Sequence, residues 1–269
     1  MNAIKTYTTA GLILKYIPYK EADLIVTLLT ENTGKVKAVA QGARRIKSKF
    51  IGHLEPLTII NGLLIKGKTL DTISQVDIKQ SYPEFYMDLN RLSRGLYICE
   101  LVDQFAPENE PNKPLFRLTM RILSILTSST EIDYELALRE FEFQILKISG
   151  LMLELYNCVS CNSSIIPNDH NYSAVGGGVI CTDCSSNIQT SPMSLSAIKL
   201  IRFFDNKSIL ENPQISISPE TIQEVKSLLI NSIIHWLERE LKSNNFINHL
   251  KSLNNNKTDL ETDRMTMNG

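Results

Sequence analysis

Cys158-x2-Cys161 is followed, after 19 residues, by Cys181-x2-Cys184. Each Cys-x2-Cys turn can present two sulfurs to one ion at about 2.3 Å. The spacing matches the four-thiolate zinc pattern, two such pairs separated by roughly 15–20 residues. Four thiolates close a tetrahedral shell and leave no position for water. The expected cofactor is therefore one structural zinc per chain, held by Cys158, Cys161, Cys181 and Cys184. An iron–sulfur cluster is the rival ligand chemistry. A redox pair is the other, but a redox Cys-x-x-Cys opens a helix in a βαβ setting and no such setting is visible. Gly176-Gly177-Gly178 suits a sharp turn just before the second pair. The fifth cysteine, Cys99, lies on an apolar stripe at helical spacing and reads as an inert core residue.

The second chemical feature is basic. Arg44, Arg45, Lys47 and Lys49 place four cations in six residues, beside Phe50. They follow Lys35–Ala40, where Lys35 and Lys37 alternate with Val36, so a strand would put both amines on one face. Cations along a groove track phosphates, and aromatics stack bases. Tyr16, Tyr19 and Phe50 are the aromatic candidates. The expected nucleic-acid contacts are Lys35, Lys37, Arg44, Arg45, Lys47 and Lys49. A solvated basic loop is the plainer reading of the same residues. The net charge of −1 hides an asymmetry that favours the first reading. Residues 1–80 carry +6, residues 81–150 carry −4, and residues 151–269 carry −3. A basic module on an otherwise acidic chain points to a polyanion.

Gly62–Thr69 (GLLIKGKT) matches the phosphate-loop expression G-x4-G-K-[ST]. That mechanism needs a loop between a strand and a helix, whose N–H groups wrap a phosphate. Here Leu63-Leu64-Ile65 reads as strand interior, and Leu70–Val76 reads as another strand. Gly67-Lys68 is then a hairpin turn. The four histidines are scattered, and no metalloprotease, nucleophile-elbow or dinucleotide motif is present. Nothing nominates an enzyme.

These groups need a scaffold. Thr8–Tyr16, Asp23–Leu29, Lys35–Ala40, Leu57–Ile65 and Thr72–Val76 read as five short strands. Five strands in about 75 residues fit an OB-fold barrel. Leu89, Leu92, Leu96, Cys99, Val102 and Phe105 then fall at helical spacing. Leu115–Thr127, Tyr134–Ser149 and Ser194–Phe204 read as further helices, and Ser218-Pro219 opens a long one to about Ser243. The fold class is α+β. Residues 1–80 form a five-stranded barrel, 81–150 the first part of a helical domain, 151–190 a zinc-binding insertion, 191–250 the second helical part, and 251–269 a disordered tail. The chain of 269 residues is 43% hydrophobic, enough for a sizeable core. It contains no run of about 18 uncharged apolar residues, so no membrane span is expected. Sparse cysteines and the lack of a signal-like N-terminus suggest the cytoplasm.

The sequence resembles the RecO family of bacterial DNA-repair proteins. The carrying residues are Glu21–Thr30 (EADLIVTLLT), Gly34-Lys35-Val36, Ala40–Arg45 (AQGARR), Lys47–Phe50, Leu54–Leu57 and Leu70–Ile73. Phe141-Glu142, the cysteine pairs, and Glu240–Ser243 with Phe246 extend the match over residues 5–250. One departure is Lys20, where the family pattern implies glycine. The resemblance implies an OB-fold, a helical domain and a zinc insertion. It implies a non-enzymatic mediator of the RecF pathway that binds single- and double-stranded DNA and anneals complementary strands. It further implies partners: RecR, and the C-terminal tail of single-strand-binding protein (SSB), with RecA loaded onto SSB-coated DNA. Arg117, Arg121 and Arg202 are candidate cations for that tail. A zinc-ribbon adaptor in transcription or RNA metabolism is the alternative class.

Overall fold

The computed structural model describes residues 5–128, 134–187, 189–209 and 215–247. The tail expected at 251–269 lies outside the described residues. The described parts of Met1–Phe116 and Leu241–Gly269 form one compact unit, and those of Arg117–Glu240 form another.

In the first unit, β1 (Thr6–Tyr19), β2 (Asp23–Thr30), β3 (Gly34–Ala40), β4 (Ile59–Ile65) and β5 (Asp71–Gln80) close into a barrel of order β1-β2-β3-β5-β4. All pairings are antiparallel except β3 with β5, which is parallel and joins only Ala38 to Asp71 and Val39 to Thr72. A five-stranded Greek-key barrel of this kind is the OB-fold expected from the sequence. Alternating side chains fill it: Ile13, Val26, Leu28, Val36, Ala38, Ile60, Leu64 and Ile73 are all buried together. Strand β5 runs past the expected Val76 to Gln80. Strand β4 begins only at Ile59, because Leu57 adopts φ +63° and interrupts the extended chain.

Helices α1 (Pro83–Met87) and α2 (Leu89–Phe105) follow. Asp88 caps α2 by accepting from the amides of Asn90 and Arg91. Cys99 is buried on α2, and burial pushes its thiol up to about 12, as befits an inert core residue. Residues 242–247 form a last helical turn on this unit. The Glu100 carboxylate accepts from the amides of Lys242 at 3.1 Å and Ser243 at 2.8 Å.

Helix α3 (Lys113–Thr127) leads into the second unit, built from α4 (Tyr134–Ile148), α5 (Leu195–Asn206) and α6 (Pro219–Leu237). Ser194 and Ser218 cap α5 and α6 through their hydroxyls. The helix expected to reach Ser243 stops at Leu237 because Glu238 turns left-handed at φ +52°. The expected zinc-binding insertion, with the residues just after it, holds a small sheet of order β7-β6-β8: β6 (His170–Ser173), β7 (Gly178–Ile180) and β8 (Ser191–Met193). Its strands of three or four residues are too short to leave a period-2 signal. Tyr172 fixes this sheet to α6 through a buried 2.6 Å hydrogen bond with Ser232. No helix among the described residues is long and apolar enough to cross a membrane.

Candidate nucleic-acid interface and metal centre

The basic segment leaves β3 as a run of tight turns. The Arg45 amide donates to Gly42 at 3.1 Å, and Ser48 to Arg45 at 3.0 Å. Three further bonds fasten it to the tip of the β1–β2 hairpin. Arg44 donates from its amide to Ala22 at 2.9 Å and from its guanidinium to the Glu21 carbonyl at 3.3 Å. The Gly42 amide donates to the Asp23 carboxylate at 2.8 Å. The structure thus holds Arg44 against the hairpin tip at Glu21 and Ala22, and Arg44, Arg45 and Lys47 are all exposed. Lys20 stands over the Tyr19 ring at 5.2 Å and holds φ +49°. That left-handed conformation is where glycine costs least, in keeping with the glycine expected there from the resemblance.

Other members of the expected contact set are placed differently. Lys35 is buried, and its amine donates to the Asp103 carbonyl and lies 3.7 Å from the Asp103 carboxylate. Burial lowers its pKa, with Asp103 and Glu108 opposing that shift. Lys35 is therefore engaged within the fold rather than presented to solvent. Lys37 shares its face, as the alternation predicts, but donates to Glu108. Lys49 is exposed yet donates back to the Ser74 carbonyl, lying 5.2 Å from the Phe50 ring. Phe50 itself is 3% exposed and belongs to the core, so it cannot stack a base. Tyr16 remains 39% exposed. Sequence reasoning missed that the β1–β2 hairpin tip binds the exit of β3, because the two meet only through tertiary contacts. Asp103 and Glu108 were missed for the same reason.

The phosphate-loop match lies in β4 and the turn that leads into β5. The Gly67 amide donates to Asp71 at 3.0 Å, and Asp71 also accepts from the Tyr7 hydroxyl at 2.5 Å and lies 3.3 Å from Lys66. No helix follows, so the amides needed to wrap a phosphate are spent in a hairpin.

In the second unit, the four cysteine sulfurs converge within 4.8 Å of one another. Cys158 and Cys161 lie in a turn closed by the Asn162 amide donating to Cys158 at 2.8 Å. Strand β7 leads straight into Cys181, and the Cys184 amide donates back to Cys181 at 3.2 Å. The two turns are stitched together by Val159 donating to Val179 at 3.0 Å. A tetrahedral ion with bonds of about 2.3 Å requires sulfurs about 3.8 Å apart. Cys161 and Cys181 stand 3.8 Å apart. All four are free thiols, so the cluster can hold a metal ion. Burial works to raise the Cys158 thiol, but amides of Cys181, Cys161 and Ser160 outweigh it and hold the thiol down to about 6. A sulfur with several N–H donors is prepared to be a thiolate. Cys184 is pushed up to about 12, chiefly by its contact with Cys181. The charge of a bound metal ion would let four thiolates share this small volume.

The arginines considered for an acidic tail divide as well. Arg121 is engaged by Ser208 and lies 3.7 Å from Glu140. Arg202 donates to the Leu155 carbonyl at 3.1 and 2.5 Å and stacks on Tyr156. Arg117 is exposed. A groove of about 400 Å³ runs beside α5 and the start of α6, lined by Lys199, Leu200, Phe203, Ile217 and Thr221.

Comparison with known proteins agrees with this architecture. Residues 1–82 match the family model described as Recombination protein O N terminal, and residues 86–245 that described as Recombination protein O C terminal. The chain is 32% identical to the DNA repair protein RecO of Roseiflexus sp. (strain RS-1), covering 93% of this chain and 87% of that protein. It is 31% identical to the RecO of Desulforamulus reducens, covering 93% and 97%. For the RecO of Symbiobacterium thermophilum the identity is 32%, covering 91% and 98%. An OB-fold barrel, a helical unit with a four-cysteine cluster, and matches that run almost end to end show that this chain belongs to the RecO family.

Proposed function

We propose that this protein is a DNA-binding recombination mediator of the RecF pathway and has no catalytic activity of its own. It binds single- and double-stranded DNA, anneals complementary single strands and, with RecR, helps load RecA onto SSB-coated DNA. The observation that supports this reading is a run of exposed cations, Arg44, Arg45 and Lys47, in a segment fastened to the β1–β2 hairpin tip through Arg44 and Gly42. Exposed cations on an OB-fold suit phosphate contact, and the Tyr19 ring under Lys20 at the hairpin tip is an aromatic suited to base stacking. Residues 1–80 act as the DNA module. The helical residues 81–150 and 191–250 present a surface to the SSB tail, and the insertion 151–190 is held by one structural zinc. With four thiolates in a closed shell, that zinc contributes folding energy and no catalysis.

Strand annealing by the purified protein, with and without SSB, tests the reading. Annealing that persists on SSB-coated strands is expected. Failure to anneal, with a preference for structured RNA over single-stranded DNA, would replace it with an RNA-metabolism adaptor.

A further inference from the structure

Lys37 lies on the strand that feeds the Arg44–Lys47 segment, about three residues or 10 Å before its end. Its amine is held by Glu108. Glu108 comes from the acidic stretch after α2, and the way that stretch is attached is unusual. Strand β3 is paired by β5 only at Ala38 and Val39, so the edge at Gly34–Lys37 is left without a strand. Residues 107–109 fill it: the Lys35 amide donates to Pro107 at 3.3 Å, and the Asn109 amide to Lys35 at 2.8 Å. Gly34 permits the approach, since a Cβ there would stand 1.9 Å from the Glu110 carbonyl oxygen. The backbone of the stretch is thus fixed on the barrel edge, while the Glu108 side chain stays 51% exposed and that of Lys37 39% exposed.

On the same face, Asp103 neutralises Lys35 and sits 2.6 Å from Lys15. Three cations there meet two carboxylates, one of which, Asp103, is buried. A carboxylate and a phosphate offer an ammonium group the same charge-assisted acceptor. An exposed ion pair contributes little to stability, so exchanging one anion for the other leaves the fold intact. Resting on the reading that the barrel binds DNA, we propose that Glu108 is a built-in competitor for phosphate at Lys37. DNA tracked along Arg44 and Arg45 then gains Lys37 only by displacing this carboxylate. Glu108 thereby sets the affinity of the interface below what its lysines could give.

The test is fluorescence anisotropy with a labelled oligothymidine strand, over a range of salt, on the full chain and on Glu108→Gln, Lys37→Gln and the double variant. One further phosphate contact on a single strand adds about 0.7 to the log–log salt slope, or about fourfold in affinity near 0.15 M salt. Glu108→Gln is expected to bind about that much more tightly with the steeper slope, while melting at the wild-type temperature. Lys37→Gln alone should bind more weakly, since it removes the cation and leaves the Glu108 carboxylate unpaired beside the interface, and the double variant should not exceed wild-type affinity. Unchanged affinity in Glu108→Gln, with wild-type binding intact, overturns the inference. So does a gain that persists in the double variant, which would mark a general charge effect. An Arg44→Glu, Arg45→Glu protein run in parallel separates the two levels: wild-type binding in that protein fails the underlying reading instead.

Discussion

The Arg44 amide donates to the Ala22 carbonyl at 2.9 Å. One hydrogen bond between residues far apart in sequence turns a basic loop into part of a surface. It fixes the exit of β3 against the tip of the β1–β2 hairpin, where the Arg44 guanidinium also donates to the Glu21 carbonyl.

The double change Arg44→Glu and Arg45→Glu should therefore weaken DNA binding and annealing. Counterion release gives single strands a log–log salt slope of roughly −0.7 per contact, so losing two contacts should flatten the slope by about 1.4. Both side chains are exposed, and exposed charges contribute little to folding. Thermal stability and metal content should stay at wild-type values. Sequence preference should be slight in either protein, because phosphate contacts do not read base edges. Filter binding across a salt series checks all of this, and an unaltered slope would place the interface elsewhere.

One equivalent of zinc per chain is expected after purification without chelator. Closed thiolate sites contribute on the order of 10–16 kcal/mol of apparent binding energy at neutral pH. Cys158 is the buried ligand, and its sulfur accepts the Cys181 amide at 3.4 Å. Cys158→Ser should lower zinc content and solubility while leaving the DNA salt slope alone. Less than about half an equivalent by metal analysis would count against a structural zinc.

The barrel was legible because its strands alternate around the core positions Val26, Leu28, Val36 and Ala38. The cysteine centre was legible because ligand spacing is local. Lys35 was misread for an instructive reason. Alternation correctly placed it with Lys37, but which surface that face meets depends on Asp103, 68 residues away. Phe50 was misread likewise: its neighbours in sequence are cations, yet its ring fills the barrel. The small sheet β6–β8 was missed because its short strands are specified by the metal turns and by Tyr172 reaching Ser232, not by periodicity.

Lys68→Ala should leave the protein's behaviour toward ATP unchanged, with no hydrolysis before or after. Its segment is a hairpin whose Gly67 amide is already bound to Asp71. A measurable ATPase in wild type that vanishes in the variant would overturn this.

On the proposed function, the groove beside α5 would seat the acidic, apolar tail of SSB. Leu200 and Phe203 offer an apolar floor, and Lys199 is an exposed cation at its wall. Lys199→Glu should weaken binding of a tail peptide by several-fold or more and spare DNA binding. Arg202→Glu would not be a clean probe, since its guanidinium holds the Leu155 carbonyl. If deleting the tail leaves the affinity for SSB unchanged, no groove on this chain reads it.

Gly34 and Gly52 offer a matched pair for separating backbone strain from close approach. Both adopt left-handed φ, +76° and +73°. Any other residue there incurs about 1–2 kcal/mol. Around Gly52 a Cβ meets nothing within 4 Å, whereas at Gly34 it would collide with the Glu110 backbone. Gly52→Ala should therefore cost only the conformational term. Gly34→Ala should cost about 1–3 kcal/mol more, the usual range for overpacking. At about 2–4 °C of melting temperature per kcal/mol, the two variants should differ by roughly 2–12 °C. The collision should also lift residues 107–110 from the β3 edge and loosen Glu108 from Lys37. The folded fraction of Gly34→Ala should then bind single-stranded DNA more tightly than wild type, while Gly52→Ala binds as wild type does. Equal melting temperatures for the two variants would show that the Glu110 backbone yields freely, and with it the hold of that stretch on the barrel.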